Sequence, residues 1–273
     1  MKNDTKEILK IIYKAAKSLH IDIMLIGAYS RDYWRNHFKI NANVRTTMDI
    51  DFVCQVTAWD EYQKLFNVLQ DHYGFTKDKK KIHTLWFNNK RSVDLLPIGD
   101  VIDSEGELRW PPKFETSLCL LGYDAAKNDA GEIVLENDML KVIKPYWLAL
   151  LKLQAYIESP SRQKDLIDFY FLLEYYSDFI NVEERLYNAK AIDKDIFDMD
   201  NYDSRVASAI LIARDCLRSN KKIAQKIMEK INKFDLNNRL TIAFFNANIG
   251  LSGNIAQQIL FSLTHEWENF SKQ

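Results

Sequence analysis

The sequence predicts an α+β fold, in which a mixed β-sheet with helices packed on it is followed by an all-helical C-terminal domain. Short apolar stretches bounded by Gly turns and polar loops run through the first part of the chain and indicate strands alternating with helices. From Pro145 onward, apolar residues such as Trp147 and Leu151 recur at helical spacing. A chain of 273 residues is long enough for two hydrophobic cores. We therefore expect two domains, residues 1–142 and 143–273.

Composition limits the partners and the compartment. Lys and Arg total 37 against 38 Asp and Glu, so the overall charge does not indicate nucleic-acid binding, and any such contact must use a local patch. The three cysteines stand at no metal-like spacing, which is typical of reduced thiols in a cytosolic protein. The N-terminal stretch MKNDTKEILK has no apolar core, and no apolar run is long enough to span a bilayer. We expect a cytoplasmic protein without a signal peptide or a membrane partner.

The first elements alternate between helix and strand. An apolar stripe over residues 8–19 predicts a helix, and apolar residues 22–26 predict a short strand that ends at Gly27. A second helix is expected over residues 28–38. Free backbone N–H groups at the start of this helix would point at whatever lies above the glycine turn, and phosphate is a common ligand of such a place.

The next strand carries two acidic residues. Asp49 and Asp51 are separated only by Ile50, so both carboxylates project from the same face of the strand. Two carboxylates this close stay ionised together only if a cation or strong donors neutralise them. Hard oxygen ligands favour Mg²⁺ or Mn²⁺ over zinc. The alternative interpretation is that the two aspartates lie at a solvated strand end. On the opposite, apolar face of this strand, a helix over residues 58–72 is expected to pack.

A third acidic residue follows on a later strand. Residues 82–87 and 92–96 read as a hairpin joined by an Asn-Asn-Lys turn. Asp94 interrupts the otherwise apolar second strand, which indicates either a functional carboxylate or an edge carboxylate paired with Arg91. The charged turn KDKKK before this hairpin is typical of a solvated loop, or alternatively forms part of an RNA path.

The remaining elements carry fewer signals. Short strands are expected at residues 118–122 and 132–135, and a long helix begins at Pro145. Further helices are expected at residues 204–218, 221–233, 238–247 and 255–270. The five histidines form no metal-spaced pair and receive no role.

A glycine turn, a D-x-D strand and a third Asp on a neighbouring strand resemble the nucleotidyltransferase superfamily that includes DNA polymerase beta and the CCA-adding enzymes. More closely, the chain resembles the predicted bacterial nucleotidyltransferases grouped with the AbiEii/AbiGii abortive-infection toxins. The segments that carry the resemblance are residues 27–32 (GAYSRD), 45–52 (RTTMDIDF), 93–97 (VDLLP), 150–155 (LLKLQA) and 164–168 (KDLID). The chain departs from the superfamily at Ala28, where Ser or Gly is usual, and this removes one hydroxyl donor from the turn.

The resemblance implies a metal-dependent nucleotidyltransferase. Such an enzyme moves a nucleoside monophosphate from an NTP to a hydroxyl, with pyrophosphate leaving, and the helical domain closes over the nucleotide. The acceptor would be RNA, such as a tRNA 3′ end, or a protein, and a toxin–antitoxin setting would add an antitoxin protein as a partner. The alternatives are a small-molecule adenylyltransferase of the aminoglycoside type and a non-catalytic nucleotide-binding module.

The resemblance also implies residue roles. Mg²⁺ or Mn²⁺ would be held by Asp49, Asp51 and Asp94. Catalytic roles would fall to Asp49, Asp51, Asp94 and Asp165. The nucleotide would be bound by Gly27, Ser30, Arg31, Arg45 and Lys152, through backbone, hydroxyl and cationic groups.

Structural alternatives stay open for several of these residues. Arg31 with Asp32 is also compatible with a surface pair, and Lys164 with Asp168 is compatible with an i,i+4 pair that stabilises a helix. Lys152, set among leucines, is also compatible with a snorkelling lysine at a domain boundary. The role of Asp165 follows from the resemblance alone.

Overall fold

The computed structural model describes residues 3–115, 117–188, 190–199, 203–235, 238–247 and 250–270. The chain divides into two compact units. Unit 1 comprises the described residues up to Tyr33 together with Asn43–Lys144, and unit 2 comprises Trp34–Ala42 together with the described residues from Pro145 onward. The α+β class that the sequence predicts is confirmed, with a mixed sheet in unit 1 and helices in the C-terminal part.

Unit 1 contains a mixed sheet. Its strands and those of a small separate sheet are β1 (Asp22–Ile26), β2 (Asp49–Val56), β3 (Phe75–Lys77), β4 (Thr84–Phe87), β5 (Arg91–Gly99), β6 (Glu107–Arg109), β7 (Ser117–Cys119), β8 (Gly131–Leu135) and β9 (Asp138–Val142). In the described residues, the large sheet has seven strands in the order β3-β4-β5-β2-β1-β9-β8, and β6 pairs with β7. β2 lies at the centre of the sheet, parallel to β5 and antiparallel to β1.

The helices of unit 1 pack by their apolar stripes. They are α1 (Asn3–Ser18), α2 (Gly27–His37), α3 (Trp59–Tyr73) and α4 (Tyr123–Asn128), and the last residues of α2 group with unit 2. On α1, Ile8, Leu9 and Ile12 are fully buried, as the predicted stripe requires. α3 ends at Gly74, whose left-handed backbone lets its N–H donate to the carbonyl of Leu69.

The sequence prediction omits β3, β6, β9 and α4. Three of these elements have only three to six residues, and β9 alternates polar and apolar residues after a turn formed by Glu136 at φ 55°, without the usual Gly or Asn. Two predicted strands also need correction. The strand predicted from Ile82 begins at Thr84, and the strand predicted over 118–122 spans only Ser117–Cys119.

Unit 2 is helical. Its helices are α5 (Pro145–Glu158), α6 (Gln163–Glu174), a 3₁₀ turn (Tyr176–Phe179), a π turn (Glu183–Tyr187), α7 (Lys194–Phe197), α8 (Ser204–Asp235), α9 (Arg239–Asn246) and α10 (Gly253–Phe270). α8 contains a kink at Asn220, with φ −154° and ψ 91°, which separates the two helices that the sequence predicts. Among the described helices, none combines the length and the apolar character that a bilayer crossing requires.

A buried ionic cluster surrounds Asp193 in unit 2. This carboxylate has no exposed surface, and it accepts hydrogen bonds from Arg185 and Arg218 at 2.5 Å each and from Arg214 at 3.1 Å. Arg214 also donates to Glu266 at 2.7 Å. Burial raises the pKa of Asp193, but the hydrogen bonds from Arg218 and Arg185 outweigh it, so the pKa lies below its usual value.

A second buried cluster joins α5 to α6. The Lys152 ammonium lies 2.7 Å from Asp165 and 2.9 Å from Asp168, and both carboxylates are fully buried. Arg162 also donates to Asp165 at 2.5 Å. Burial lowers the pKa of Lys152, but Asp168 and Asp165 outweigh it and the pKa is raised overall. Lys152 is therefore a buried, paired lysine, and the snorkelling interpretation is wrong.

Replacing Lys152 tests the energetic weight of this cluster. Lys152→Met leaves Asp165 and Asp168 buried without their shared cation, so we expect a loss of about 3–5 kcal/mol in the free energy of unfolding. Lys164→Met, on the exposed surface of α6, removes the same charge and should cost less than about 1 kcal/mol. Urea unfolding measures both variants. Equal losses would contradict the buried ion pairs.

The Asp193 cluster predicts that the free energy of unfolding falls as the pH is lowered. Because the folded-state pKa of Asp193 is depressed, its contribution is present above the unfolded-state pKa of about 3.9 and is lost as the pH falls through the folded-state value. Asp193→Asn should therefore be less stable than the wild type at pH 7 and lose less stability on acidification. Urea midpoints between about pH 7 and pH 3 check this. If the urea midpoints of the wild type and of Asp193→Asn fell equally with pH, this prediction would be refuted.

Candidate functional site

The parallel pairing of β2 with β5 brings three carboxylates onto one face of the sheet. In the register, Asp51 is opposite Asp94 and Asp49 is opposite Ser92. Register partners on neighbouring strands face the same side, and residues two apart on one strand do too. Asp49, Asp51 and Asp94 therefore share a face, where all three are half-buried. Ile50 on the other face is fully buried, as the predicted alternation requires.

Buried threonine hydroxyls hold two of these carboxylates. Thr47 Oγ1 donates a hydrogen bond to Asp49 Oδ1. Thr84 Oγ1 on β4 donates to Asp94 Oδ1 at 2.6 Å, directly across the strand pair. Hydroxyl donors of this kind fix the orientation of a carboxylate. Neither threonine was predicted as a site residue from the sequence, although Thr47 precedes Asp49 by two residues and that spacing could have indicated it.

Gly27 lies directly against Asp51. Its φ of +69° is in the left-handed region, and a Cβ built on it would stand 1.9 Å from Asp51 Oδ2. Ile26, the residue before it, pairs with Asp51 across β1 and β2. Backbone conformation and space therefore both require glycine here. The turn at the start of α2 and the D-x-D strand form one local structure.

Ser30 and Arg31 of α2 make hydrogen bonds inside unit 1. The hydroxyl of Ser30, which is fully buried, donates to the Gly27 carbonyl at 2.7 Å. Arg31 is only 1% exposed, and it donates to Asp32 at 2.6 Å and to the Arg45 carbonyl at 3.0 Å. The pairing of Arg31 with Asp32 is thus real, but it is not a surface pair. Phosphate contacts by Ser30, Arg31 and Arg45 stay predictions.

His83, for which no role was predicted from the sequence, is a neighbour of the site. Its Nε2 lies 3.7 Å from Asp94 Oδ2, and its ring stacks on Trp110 with the centroids 5.6 Å apart. Its Nδ1 is buried and has no hydrogen-bond partner among the described residues. Burial lowers the pKa of His83, although Asp94 opposes this. In the sequence, His83 could have been linked to the site only through its position directly before Thr84, the residue that contacts Asp94.

The three carboxylates fit a hard divalent cation by their donor chemistry, because carboxylate oxygens are the ligands that Mg²⁺ and Mn²⁺ prefer. Among the described residues, no group of three His, Cys, Asp or Glu side chains is arranged to hold a metal ion. The structure brings Asp49, Asp51 and Asp94 to one face of the sheet. Metal binding by this set stays a prediction.

Lys152 and Asp165 belong to the buried cluster of unit 2. Their charged groups contact each other at 2.7 Å, and Asp165 is fully buried. The alternative reading of Lys164 and Asp168 as a simple i,i+4 pair is incomplete, because Asp168 also contacts Lys152 at 2.9 Å. The triphosphate contact of Lys152 and the catalytic role of Asp165 stay predictions.

Comparisons with known proteins show weak likenesses. No protein-family model matches the chain, and no curated protein sequence does. The solution structure of the antibiotic-resistance factor ANT(2'')-Ia is 11% identical with a TM-score of 0.39, covering 66% of this chain and 89% of its own. An antigenic nucleotidyltransferase-like protein from Paracoccidioides brasiliensis is 12% identical with a TM-score of 0.41, covering 81% and 91%. The Thermotoga maritima CCA-adding enzyme, complexed with tRNA, is 11% identical with a TM-score of 0.28, covering 100% and 82%. A function for this chain therefore has to rest on the site residues.

Proposed function

We propose that this chain is a metal-dependent nucleotidyltransferase that moves a nucleoside monophosphate from an NTP to a hydroxyl acceptor. The observation that carries the proposal is the set of three carboxylates on one sheet face, with the Gly27 turn packed against Asp51. Asp49 and Asp51 alone would be compatible with a solvated strand end. The register that sets Asp94 beside Asp51 makes a functional cluster the better explanation.

Asp49, Asp51 and Asp94 would hold Mg²⁺ or Mn²⁺. When bound, the cation supplies charge neutralisation for the triphosphate and for the departing pyrophosphate. The hydroxyls of Thr47 and Thr84 keep Asp49 and Asp94 oriented for this task. The face would then be suited to a substrate that carries several negative charges.

The proposed reaction is a substitution at the α-phosphorus of the NTP. The acceptor oxygen forms a bond to this phosphorus, and the bond from phosphorus to the bridging oxygen breaks, so that pyrophosphate leaves with the electron pair. The acceptor hydroxyl loses its proton to a carboxylate, and we assign this task to Asp94, which lies on the strand next to Asp51. No oxidant or further reactant is needed.

The remaining site residues would bind the nucleotide. The start of α2 offers backbone N–H groups beside Gly27, and the dipole of an 11-residue helix favours phosphate there. Ser30 donates a hydrogen bond to the Gly27 carbonyl, and Arg31 on the same helix donates one to the Arg45 carbonyl. From unit 2, the proposal includes a triphosphate contact by Lys152 and a role for Asp165, and the resemblance to the toxin family supports both.

RNA, such as a tRNA 3′ end, or a protein is the proposed acceptor. The toxin setting, with an antitoxin partner, rests on the resemblance of the five motif segments. A small-molecule adenylyltransferase of the aminoglycoside type is the alternative enzyme. A nucleotide-binding module without turnover is a second candidate, and one observation favours it: Ala28 stands at the turn where the superfamily usually has Ser or Gly, so one hydroxyl donor is missing.

Transfer of label tests the enzyme class. Each of the four α-labelled NTPs is incubated with the protein and Mg²⁺ or Mn²⁺, and label is measured in RNA, protein and small-molecule fractions. We expect label in one fraction, and Asp51→Asn should reduce it by at least about 100-fold, because a preorganised charge is lost. Asp71→Asn, an exposed aspartate on α3, is the matched control and should leave transfer unchanged. Label that persists in Asp51→Asn would overturn the site, and NTP binding without label would favour the binding module.

A pair of glycines tests the contact between the turn and Asp51. Gly27 and Gly74 share a φ of +69°, but a Cβ on Gly74 meets nothing within 4 Å. Alanine at either position costs about 1–2 kcal/mol of backbone strain. Gly27→Ala must also displace Asp51, so we expect it to transfer label on the order of 100-fold less than Gly74→Ala does. Circular dichroism melting and transfer assays separate the two effects. Equal transfer in both variants would contradict the role of this contact.

A further inference from the structure

A cavity of about 500 Å³ lies in unit 1, lined by one end of α3, the loop before β4 and Trp110. None of the candidate site residues lines it. Its volume falls in the range of sites that bind small molecules or single units of a polymer. Its lining combines aromatic rings with lysines, and this combination indicates the chemistry of its ligand.

The aromatic wall of the cavity is held in place by ring contacts. Trp59 is half-buried, and its ring lies 5.4 Å from that of Trp110 and 5.8 Å from that of Tyr62 between centroids. Tyr62 is itself fixed by a hydrogen bond to the Leu95 carbonyl at 2.8 Å. Rings fixed in this way lose little freedom when a flat ligand stacks on them.

Another part of the cavity lining is a lysine-rich loop with a fixed backbone. Asp78 accepts hydrogen bonds from the Lys80 and Lys81 N–H groups at 2.7 and 2.8 Å and from Trp86 Nε1 at 2.7 Å. The Trp86 hydrogen bond and these backbone contacts lower the pKa of Asp78 to about 2. This carboxylate is thus committed to holding the loop.

Lysines on this loop supply the charge. Lys77, Lys79 and Lys80 line the cavity and are exposed, and they make no ion pair among the residues that the structure describes. Asp60 on α3 is the acidic lining residue besides Asp78. Aromatic rings and lysine ammonium groups that line one cavity match a planar ring that carries a phosphate, which is the chemistry of a nucleotide.

We propose that this cavity binds one nucleotide of a single-stranded RNA, with the base against Trp59 and the neighbouring phosphates on Lys79 and Lys80. Several exposed lysines on one loop suit the successive phosphates of a strand, and stacking on an aromatic ring tolerates any base. The near-neutral overall charge makes such a local patch necessary for RNA binding.

The cavity is linked to the candidate site by two side chains. Trp110 lines the cavity and stacks on His83, and His83 Nε2 is 3.7 Å from Asp94 Oδ2. A strand held in the cavity would therefore have a neighbouring part close to Asp94, as an acceptor requires. This acceptor role rests on the proposed function, whereas the binding of RNA does not.

Anisotropy of a labelled oligoribonucleotide of about six nucleotides tests the binding with the full chain. Lys79→Ala/Lys80→Ala should weaken binding at least tenfold and lower the dependence of log Kd on log salt by about 1.4. Trp59→Ala should weaken it about tenfold, and Trp59→Phe, which keeps a ring, should largely restore it. Lys221→Ala/Lys222→Ala is the matched control, because these lysines line a second depression, on α8, that has no aromatic lining residue. It should bind as the wild type does.

Several outcomes would overturn the proposal. Equal losses in the two lysine pairs would show binding by charge alone, and competition by polyglutamate or anionic vesicles at equal charge would indicate an acidic peptide or a membrane surface. Trp59-dependent binding of AMP without any gain from the oligonucleotide would indicate a free nucleotide. Asp51→Asn separates this proposal from the proposed function, because it should bind RNA normally while transfer is lost. If the wild type bound RNA but transferred no label, the proposal of RNA binding would stand and the proposed nucleotidyltransferase activity would be rejected.

Discussion

The parallel pairing of β2 with β5 is the interaction on which the candidate site depends. Ile50 and Phe52 on β2 and Val93 and Leu95 on β5 are fully buried on the apolar face, and this packing fixes the register. A slip of one residue would turn Asp94 to the opposite face. The packing of the apolar face thus determines which residues are neighbours on the carboxylate face. Asp94 stays beside Asp51 because any other register would disrupt the core.

Local signals in the sequence predicted most of the elements and the shared face of Asp49 and Asp51, because apolar periodicity and strand alternation are properties of neighbouring residues. Strand order is not such a property. The insertion of β9 beside β1 and the contact of Thr84 with Asp94 arise from pairing between distant segments, so no local pattern announces them. Lys152 shows the same limit, since its partners depend on how α5 packs on α6.

Acidic side chains contact arginines in one part of this chain and threonine hydroxyls in another. In unit 2, buried acids are matched by cations, as Asp193 is by arginines, and such pairs cancel charge. On the sheet of unit 1, Asp49 and Asp94 accept hydrogen bonds from threonines, and a neutral hydroxyl orients a carboxylate without cancelling its charge. The first arrangement neutralises buried charge, and the second sets the orientation of the two carboxylates.

The central place of β2 has a consequence for local opening of the backbone. β2 has a bonded neighbour on each side, whereas β3 and β8 form the edges of the sheet. Edge strands exchange their amide hydrogens through small fluctuations, while a central strand exchanges only when much of the sheet opens. Asp51, which is paired with Ile26 on β1 and with Asp94 on β5, is therefore carried on a segment whose amides should be among the last to exchange, whereas Asp49 is paired only with Ser92 on β5. Warming that frays the edges would leave Asp51 in its place beside Asp94.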